Sequence, residues 1–597
     1  MTGYRGVGRP AGPRRIGRSD ASVPLFSGSE LTAIAAGVVV VTVGLAWLVA
    51  ATFPTAARLW MFALLVVASL AAEAGVVAWF LRRAQRRDAT QIPRGLATAG
   101  EVLAQSGAQR ARAKAGFQRS SMSADEIATG PLEALALQLG SGPDGTTIWA
   151  PMEDQIVIVG KTGSGKGAFY VAPAALSAPG PVVVTTTRAD VIDVIATRRS
   201  EVGRVWVFDP LDLAHWPDPM TWDPLVGCER DDVARARGRA FVAALGRENG
   251  GNTQFFKDTS GAAIQYMVHA AALGRLGNKP ELSMSDVCTW AMRLDNGAQY
   301  PQDLIRRSTH PRAERLWADM LQAVATGADD TVASTRVTLR GALDAISSGS
   351  VLNCIIPKDG RANFDVRSFV RSRDTLVLVS DANSLTNVAP LTTMLLQEVF
   401  DVGKEIARTL PNGLLDPPLR IVGDEIANVA PIENLPEMFT DSRGYGFQIV
   451  AFFQSVAQAV ARWGRERGGN LLAQAGYEVV LPGLKDAETL DRYSQLVGSI
   501  DVGESTMSVT ASGEQQSSSY SVREQRILRP EEVRKLRGDR SALLVPALGE
   551  PMILTLTPWW EGTDGAALTM EAQRVARQRA AQALQSERAG SPQEAMA

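Results

Sequence analysis

The chain has 597 residues, too long for one ordinary domain, so two or three folded units joined by linkers are expected. Its 61 basic and 63 acidic residues leave a formal net charge of −2, which excludes a globally basic nucleic-acid coat but not a local basic channel. Cys228, Cys288 and Cys354 lie far apart without CxxC spacing, which excludes a disulfide framework and a zinc site and marks them as small buried residues in a reducing compartment. His215, His269 and His310 are equally scattered and read as core or surface residues rather than ligands.

Residues 1–29 form a basic N-terminus ahead of two apolar runs, 30–53 ("ELTAIAAGVVVVTVGLAWLVAATF") and 59–81 ("LWMFALLVVASLAAEAGVVAWFL"), each long enough to cross a bilayer. Only "PTAAR" separates them, so a two-helix antiparallel anchor over 30–81 is expected. Arg5, Arg9, Arg14, Arg15 and Arg18 precede the first run, and Arg82, Arg83, Arg86 and Arg87 follow the second. By the positive-inside rule both ends face the cytoplasm, which makes the chain a multi-pass protein of the plasma (inner) membrane with its soluble part inside. The first run is too long for the apolar region of a cleaved signal peptide. Glu73, inside the second run, either lines a channel or packs against a partner helix. A linker leading into the next domain follows over 82–150, with a Gly-rich turn "GSGPDG".

The stretch "QIVIVGKTGSGKGAFYVAPAAL" places a β-branched strand, a glycine-rich loop and a helix in the order that a phosphate-binding loop needs. Gly160, Gly163 and Gly165 let backbone N–H groups of the loop through Lys161, Thr162, Ser164 and Gly167 converge on phosphate oxygens at a helix N-terminus. Lys166 supplies a mobile positive charge for the β and γ phosphates of ATP. Gly167 stands where a magnesium-binding hydroxyl is common, so Mg2+ would take water or the hydroxyl of Thr162 or Ser164 instead.

In "PPLRIVGDEIANVAP" an apolar strand ends in two acids, the pattern that holds magnesium and prepares water for attack. Asp424 is the expected metal ligand and Glu425 the residue that orients or deprotonates the water. The next strand, "GFQIVAFFQ", ends in Gln454, which either touches the γ-phosphate, caps the following helix, or does both. Arg443, on the Gly-rich turn "TDSRGYGF", is a candidate for donation to a neighbouring subunit's γ-phosphate.

These pieces, with "TWDPLVGC" and the distal "LKDAETLDRYSQLVG", resemble the type IV secretion coupling proteins (TraG/TraD-like), the conjugative DNA-transfer ATPases, over most of the chain. Glycine after the loop lysine is common in that family, so Gly167 matches it. The resemblance also strengthens Arg443 and Gln454, because relatives carry an arginine at a comparable distance before a strand-ending glutamine. Where the family often has an Asp-Pro-Lys-Gly run, this chain has "TTTRAD", which leaves the roles of Arg188 and Asp190 open.

Strands "PVVVTTT", "RVWVFDP", "DTLVLVS", "LRIVGDE", "FQIVAFF" and "YEVVLPG" alternate with helical segments, so the expected fold is α/β, a RecA-like P-loop ATPase with a mostly parallel sheet over 151–228 and 346–560. Residues 229–345 show helix patterns only, including "DDVARARGRAFVAALG", opening on an Asp pair, and "DTSGAAIQYMVHAAALG", opening on an Asp-Thr-Ser cap, and read as an inserted all-helical domain. The resemblance implies that this insertion meets substrate at the mouth of a homo-hexameric ring; the alternative is that it only stabilises the ring. Residues 501–522, rich in Ser, Gly and Gln, read as a mobile loop, and 561–597 as a tail, either a frayed amphipathic helix or disordered.

The function expected from all this is a membrane-anchored ATPase that passes single-stranded DNA, with its relaxase, into a type IV secretion channel and its channel proteins. The alternatives are an FtsK-like double-stranded DNA translocase, a protein-effector export receptor, and a catalytically silent scaffold.

Overall fold

The computed structural model describes residues 95–97, 101 and 107–589, apart from 143, 244–250, 344–345, 347, 359, 382–386 and 510–514. Both expected membrane runs lie outside these residues; among the described ones no helix is long and apolar enough to cross a membrane.

Among the described residues thirteen strands occur in chain order: β1 (Ala136–Ser141), β2 (Thr147–Pro151), β3 (Ile156–Val159), β4 (Val182–Thr186), β5 (Val205–Phe208), β6 (Thr375–Val379), β7 (Leu419–Gly423), β8 (Phe447–Phe453), β9 (Tyr477–Val480), β10 (Ser499–Val509), β11 (Gln515–Arg526), β12 (Ser541–Pro546) and β13 (Met552–Thr555). Eleven of them form one sheet in the order β2-β1-β13-β12-β9-β3-β8-β7-β4-β6-β5. From β9 to β5 every pairing is parallel. These are the seven apolar runs of the sequence, and they read as continuous hydrophobic stretches because both sheet faces are covered. In β3, Val157 and Val159 face one core while Ile156 and Ile158 face the other, all with no exposed surface.

From β12 outward the pairing is antiparallel, through β13 and β1 to β2. The turn "GSGPDG" joins β1 to β2, so the main sheet recruits strands that precede residue 151.

Between β5 and β6 the described residues hold helices and one isolated bridge, Thr221 to Asn363, but no strand. The helical run extends past residue 345 to Val366–Val370. The segment "DTSGAAIQ" does not open a helix: Asp258 and Ser260 lie inside the helix Gly251–Leu276, where Thr259 Oγ1 donates to the Phe255 carbonyl at 2.8 Å. A buried stripe that includes Ala263, Ile264, Met267 and Ala271 overrides the local cap signal.

One further expectation is corrected and one open alternative is decided. Of residues 501–522, those described belong to an antiparallel pair of β10 and β11, matched from Ser499 with Arg526 to Val509 with Gln515; Ser, Thr and Val can pair as strands despite a polar composition. The C-terminal segment forms a helix, Gly565–Ala589, docked on the helix Ala189–Val202. Arg579 grips Asp193 with two hydrogen bonds of 2.9 Å and also donates to the Ala214 carbonyl.

Candidate functional site

The carboxyl ends of β3, β8 and β7 lie side by side, so the loop after β3, Gln454 after β8, and Asp424 and Glu425 after β7 converge on one crevice, the usual ligand position in an open parallel sheet. The glycines are shaped to this purpose. A Cβ on Gly160 would lie 2.7 Å from Ser164 Oγ, and one on Gly165, whose φ is +85°, would lie 2.4 Å from the Phe169 ring. Gly163 has φ +79°. The chain after the loop winds first as a π-turn over Gly167–Val171 and then as an α-helix, Ala172–Leu176.

Lys166 is buried, and its ammonium donates to the carbonyls of Gly160 at 2.7 Å and Lys161 at 3.2 Å. Burial lowers its pKa, and the nearby carboxylates of Asp424 and Glu425 act against that shift. Asp424 is buried as well; desolvation raises it to about 6, with Lys166 pulling the other way. Thr185 of β4 fixes the turn by donating to the Asp424 carbonyl at 2.7 Å.

Glu425 occupies the left-handed region, φ 51° and ψ 37°, a costly backbone for a non-glycine residue that turns its side chain toward β8. There Gln454 Nε2 donates to Glu425 Oε1 at 3.2 Å, and Asn428 Nδ2 to Oε2 at 3.4 Å. Gln454 therefore spends its amide on the acid rather than on the following helix. Gln458 Oε1 accepts from the Gln454 backbone N–H at 2.8 Å, and the first N–H of the helix Val456–Trp463 donates to Thr489 Oγ1 at 3.1 Å.

The fit to a magnesium nucleotide can be tested on the residues present. Ser164 Oγ is buried with no hydrogen-bond partner, while Thr162 is exposed at the loop tip. An orphaned hydroxyl, a buried carboxylate at Asp424 and a glycine cradle form a hard-oxygen donor set that suits Mg2+ sharing its shell with water and phosphate. Nothing lies within 4 Å of a Cβ built on Gly167, so the missing hydroxyl reflects chemistry rather than lack of room.

Arg443 is set apart from this crevice. It lies in a single turn, Ser442–Tyr445, before the first residue of β8, so the whole seven-residue strand separates it from Gln454, roughly 20 Å. Its guanidinium is about half exposed and lies 3.5 Å from Glu153, which Lys114 also meets at 2.9 Å.

Arg188 is a residue whose position the sequence left open. It precedes the helix Ala189–Val202 at the end of β4, pairs with both oxygens of Asp190 at 2.9 and 2.6 Å, and its charge is felt at Asp424. Thr185 and Asn428 were not legible as site residues, because their roles come from the pairing of β4 with β7 and from the left-handed turn at Glu425.

Comparison with known proteins adds three findings. A family model described as "Type IV secretory system Conjugative DNA transfer" matches residues 109–582. Protein VirD4 of Rhizobium rhizogenes is 23% identical over 403 residues, 66% of this chain and 56% of that protein; VirD4 of Agrobacterium fabrum is 23% identical over 397 residues, 65% and 56%. The chain thus spans just over half the length of these curated relatives. Among solved structures, the bacterial conjugative coupling protein TrwBdeltaN70 shares the fold with a TM-score of 0.50 at 16% identity, over 71% of this chain and 89% of that one.

Proposed function

The chain belongs to the type IV secretory conjugative DNA-transfer family, and we propose from this that it is a membrane-anchored ATPase that drives single-stranded DNA, carried with its relaxase, into a secretion channel. The observation that supports this reading best is the convergence of Lys166, Asp424, Glu425 and Gln454 on one crevice, with β8 between the loop strand and the acid-bearing strand.

Backbone N–H groups from Gly163 to Gly167 cradle the phosphates, and Lys166 exchanges its two carbonyl partners for phosphate oxygens. Asp424, with Ser164 or water, would hold Mg2+, which when bound neutralises charge on the β and γ oxygens. Glu425 accepts the proton of the attacking water, and the Gln454 amide holds that carboxylate at the γ-phosphate side. Arg443 lies at the amino end of β8, opposite its own subunit's crevice, so it serves a neighbour, which supports a homo-hexameric ring. The two apolar runs at 30–53 and 59–81 would anchor that ring in the inner membrane with the ATPase in the cytoplasm.

Steady-state ATP hydrolysis by the detergent-purified full chain at one low salt, with single-stranded DNA, duplex DNA or neither, tests this. Stimulation by single strands that is lost in Glu425→Gln is expected. Stimulation by duplex alone would favour a double-strand pump, and turnover indifferent to DNA a protein-export receptor.

A further inference from the structure

Away from the nucleotide crevice, the helical insertion and the sheet domain enclose a groove of about 720 Å³. Arg235 and Arg239, one turn apart on the exposed side of the helix Asp231–Ala243, line one wall, and Arg462 and Arg467 line the other. Lys257 adds a fifth cation against two lining carboxylates, Asp258 and Glu433. Some of this charge is met locally: Arg467 pairs with Glu437 at 2.9 Å and with Glu433 at 3.8 Å, and Arg235 sits 3.8 Å from Asp231. Arg239 and Arg462 have no carboxylate within ion-pair distance among the described residues. Arg462, largely buried, donates to backbone carbonyls only, Ala243 at 2.6 Å and Pro431 at 3.5 Å.

Both walls connect to the reaction centre. Glu425 leads through the turn Ile426–Val429 to Pro431, Ile432 and Glu433. Gln454 leads through the helix Val456–Trp463, about 12 Å long, to Arg462 and Trp463. The two arms are tied where they arrive, by Trp463 Nε1 donating to the Ile432 carbonyl at 2.8 Å. Arg462 extends the tie to the last residue of the insertion helix that carries Arg235 and Arg239. Any change in the Glu425 to Gln454 hydrogen bond on loss of the γ-phosphate thus reaches the groove through two short rigid elements.

We infer that this groove holds the sugar–phosphate backbone of single-stranded DNA and that the paired arms couple its occupancy to hydrolysis. The inference rests on the proposed function and names the substrate-contacting residues for it. Planar guanidiniums spaced one helical turn apart suit successive phosphates, read without regard to base. Coupling must be reciprocal, so bound nucleotide changes DNA affinity by the same factor as DNA changes nucleotide affinity.

The test uses the full-length detergent-purified protein and oligo-dT, with the double variants Arg235→Gln/Arg239→Gln and Arg235→Lys/Arg239→Lys, and polyglutamate as competitor. Both positions are exposed, and unchanged basal turnover reports an intact fold. The Gln variant is expected to bind oligo-dT at least tenfold more weakly, to lower the slope of log affinity against log salt by about 1.4, and to lose stimulation by DNA. The Lys variant keeps the slope. Wild-type affinity and stimulation in the Gln variant would overturn the groove while leaving the proposed function standing. A wild-type protein that neither binds nor responds to single strands would overturn both. Polyglutamate displacing oligo-dT at equal charge would overturn the DNA assignment in favour of an acidic protein segment.

Discussion

The two ends of β8 are built in opposite ways. At its carboxyl end Gln454 enters a half-closed crevice where Lys166 and Asp424 are both buried and each shifts the other's proton affinity. At its amino end Arg443 is about half exposed and lies 3.5 Å from Glu153, which Lys114 and Gln118 also meet. One end has paid for desolvation in advance, as a group acting at a preorganised site requires; the other keeps its cation hydrated and loosely latched. The contrast teaches that the two ends of one strand can suit different tasks, and under the proposed function the hydrated end is the one that would reach a neighbouring subunit.

The sharpest way to break this picture is a mixing experiment. Arg443→Ala should lower turnover about 10³-fold, in the range of other arginine fingers, and so should leave the protein as inactive as Lys166→Ala. If Arg443 acts across a subunit boundary, mixing the two inactive variants restores part of the activity, since some sites then combine an intact loop with a neighbour's intact arginine. No recovery would return Arg443 to a structural role.

Glu425→Gln should cost about 10²- to 10³-fold in turnover while a fluorescent ATP analogue still binds, because the amide keeps the shape but cannot take a proton. Equal losses in binding and turnover would mean that Glu425 serves the metal instead.

The burial of Asp424 makes a pH prediction of about tenfold per unit. With its pKa raised to about 6 against an ordinary value near 4, the folded subunit holds a proton in this window that the unfolded chain releases. Asp424's own contribution to stability without nucleotide therefore falls as pH rises from about 4 to 6 and then levels, and thermal melts of Asp424→Asn minus wild type isolate it as a slope of the opposite sign. Magnesium nucleotide needs the carboxylate, so its affinity should weaken by up to tenfold per unit below about pH 6.

The smallest effect is expected at Gly167, two residues after a glycine that does not tolerate change. Gly167→Ser places its Cβ in open space and should change turnover and melting by no more than the roughly 0.5 kcal/mol of a surface substitution. Gly165→Ala meets the Phe169 ring from a positive-φ backbone and should lose nucleotide binding outright. Equal behaviour of the two would show that the loop is not held as described.

The amino-acid sequence by itself determined the seven parallel strands, because strands buried on both faces are predominantly apolar, wholly so in β3 and, in β4 and β6 to β8, apart from threonines and the buried Arg420 and Gln448. It determined the phosphate loop and the paired acids for a similar reason: each is a short contiguous pattern whose chemistry needs neighbours along the chain. It misread the polar hairpin Ser499–Arg526 and left the helix Gly565–Ala589 undecided against disorder; their order comes from cross-strand pairing and from the distant Asp193. Only the tertiary structure decided that Gln454 serves Glu425 while Thr489 receives the first N–H of the helix Val456–Trp463, that Thr185 steadies Asp424, and that Arg462 ties that helix to the insertion. Those links join residues far apart in the chain or choose between two equally good local partners, and strand order together with one left-handed turn makes the choice.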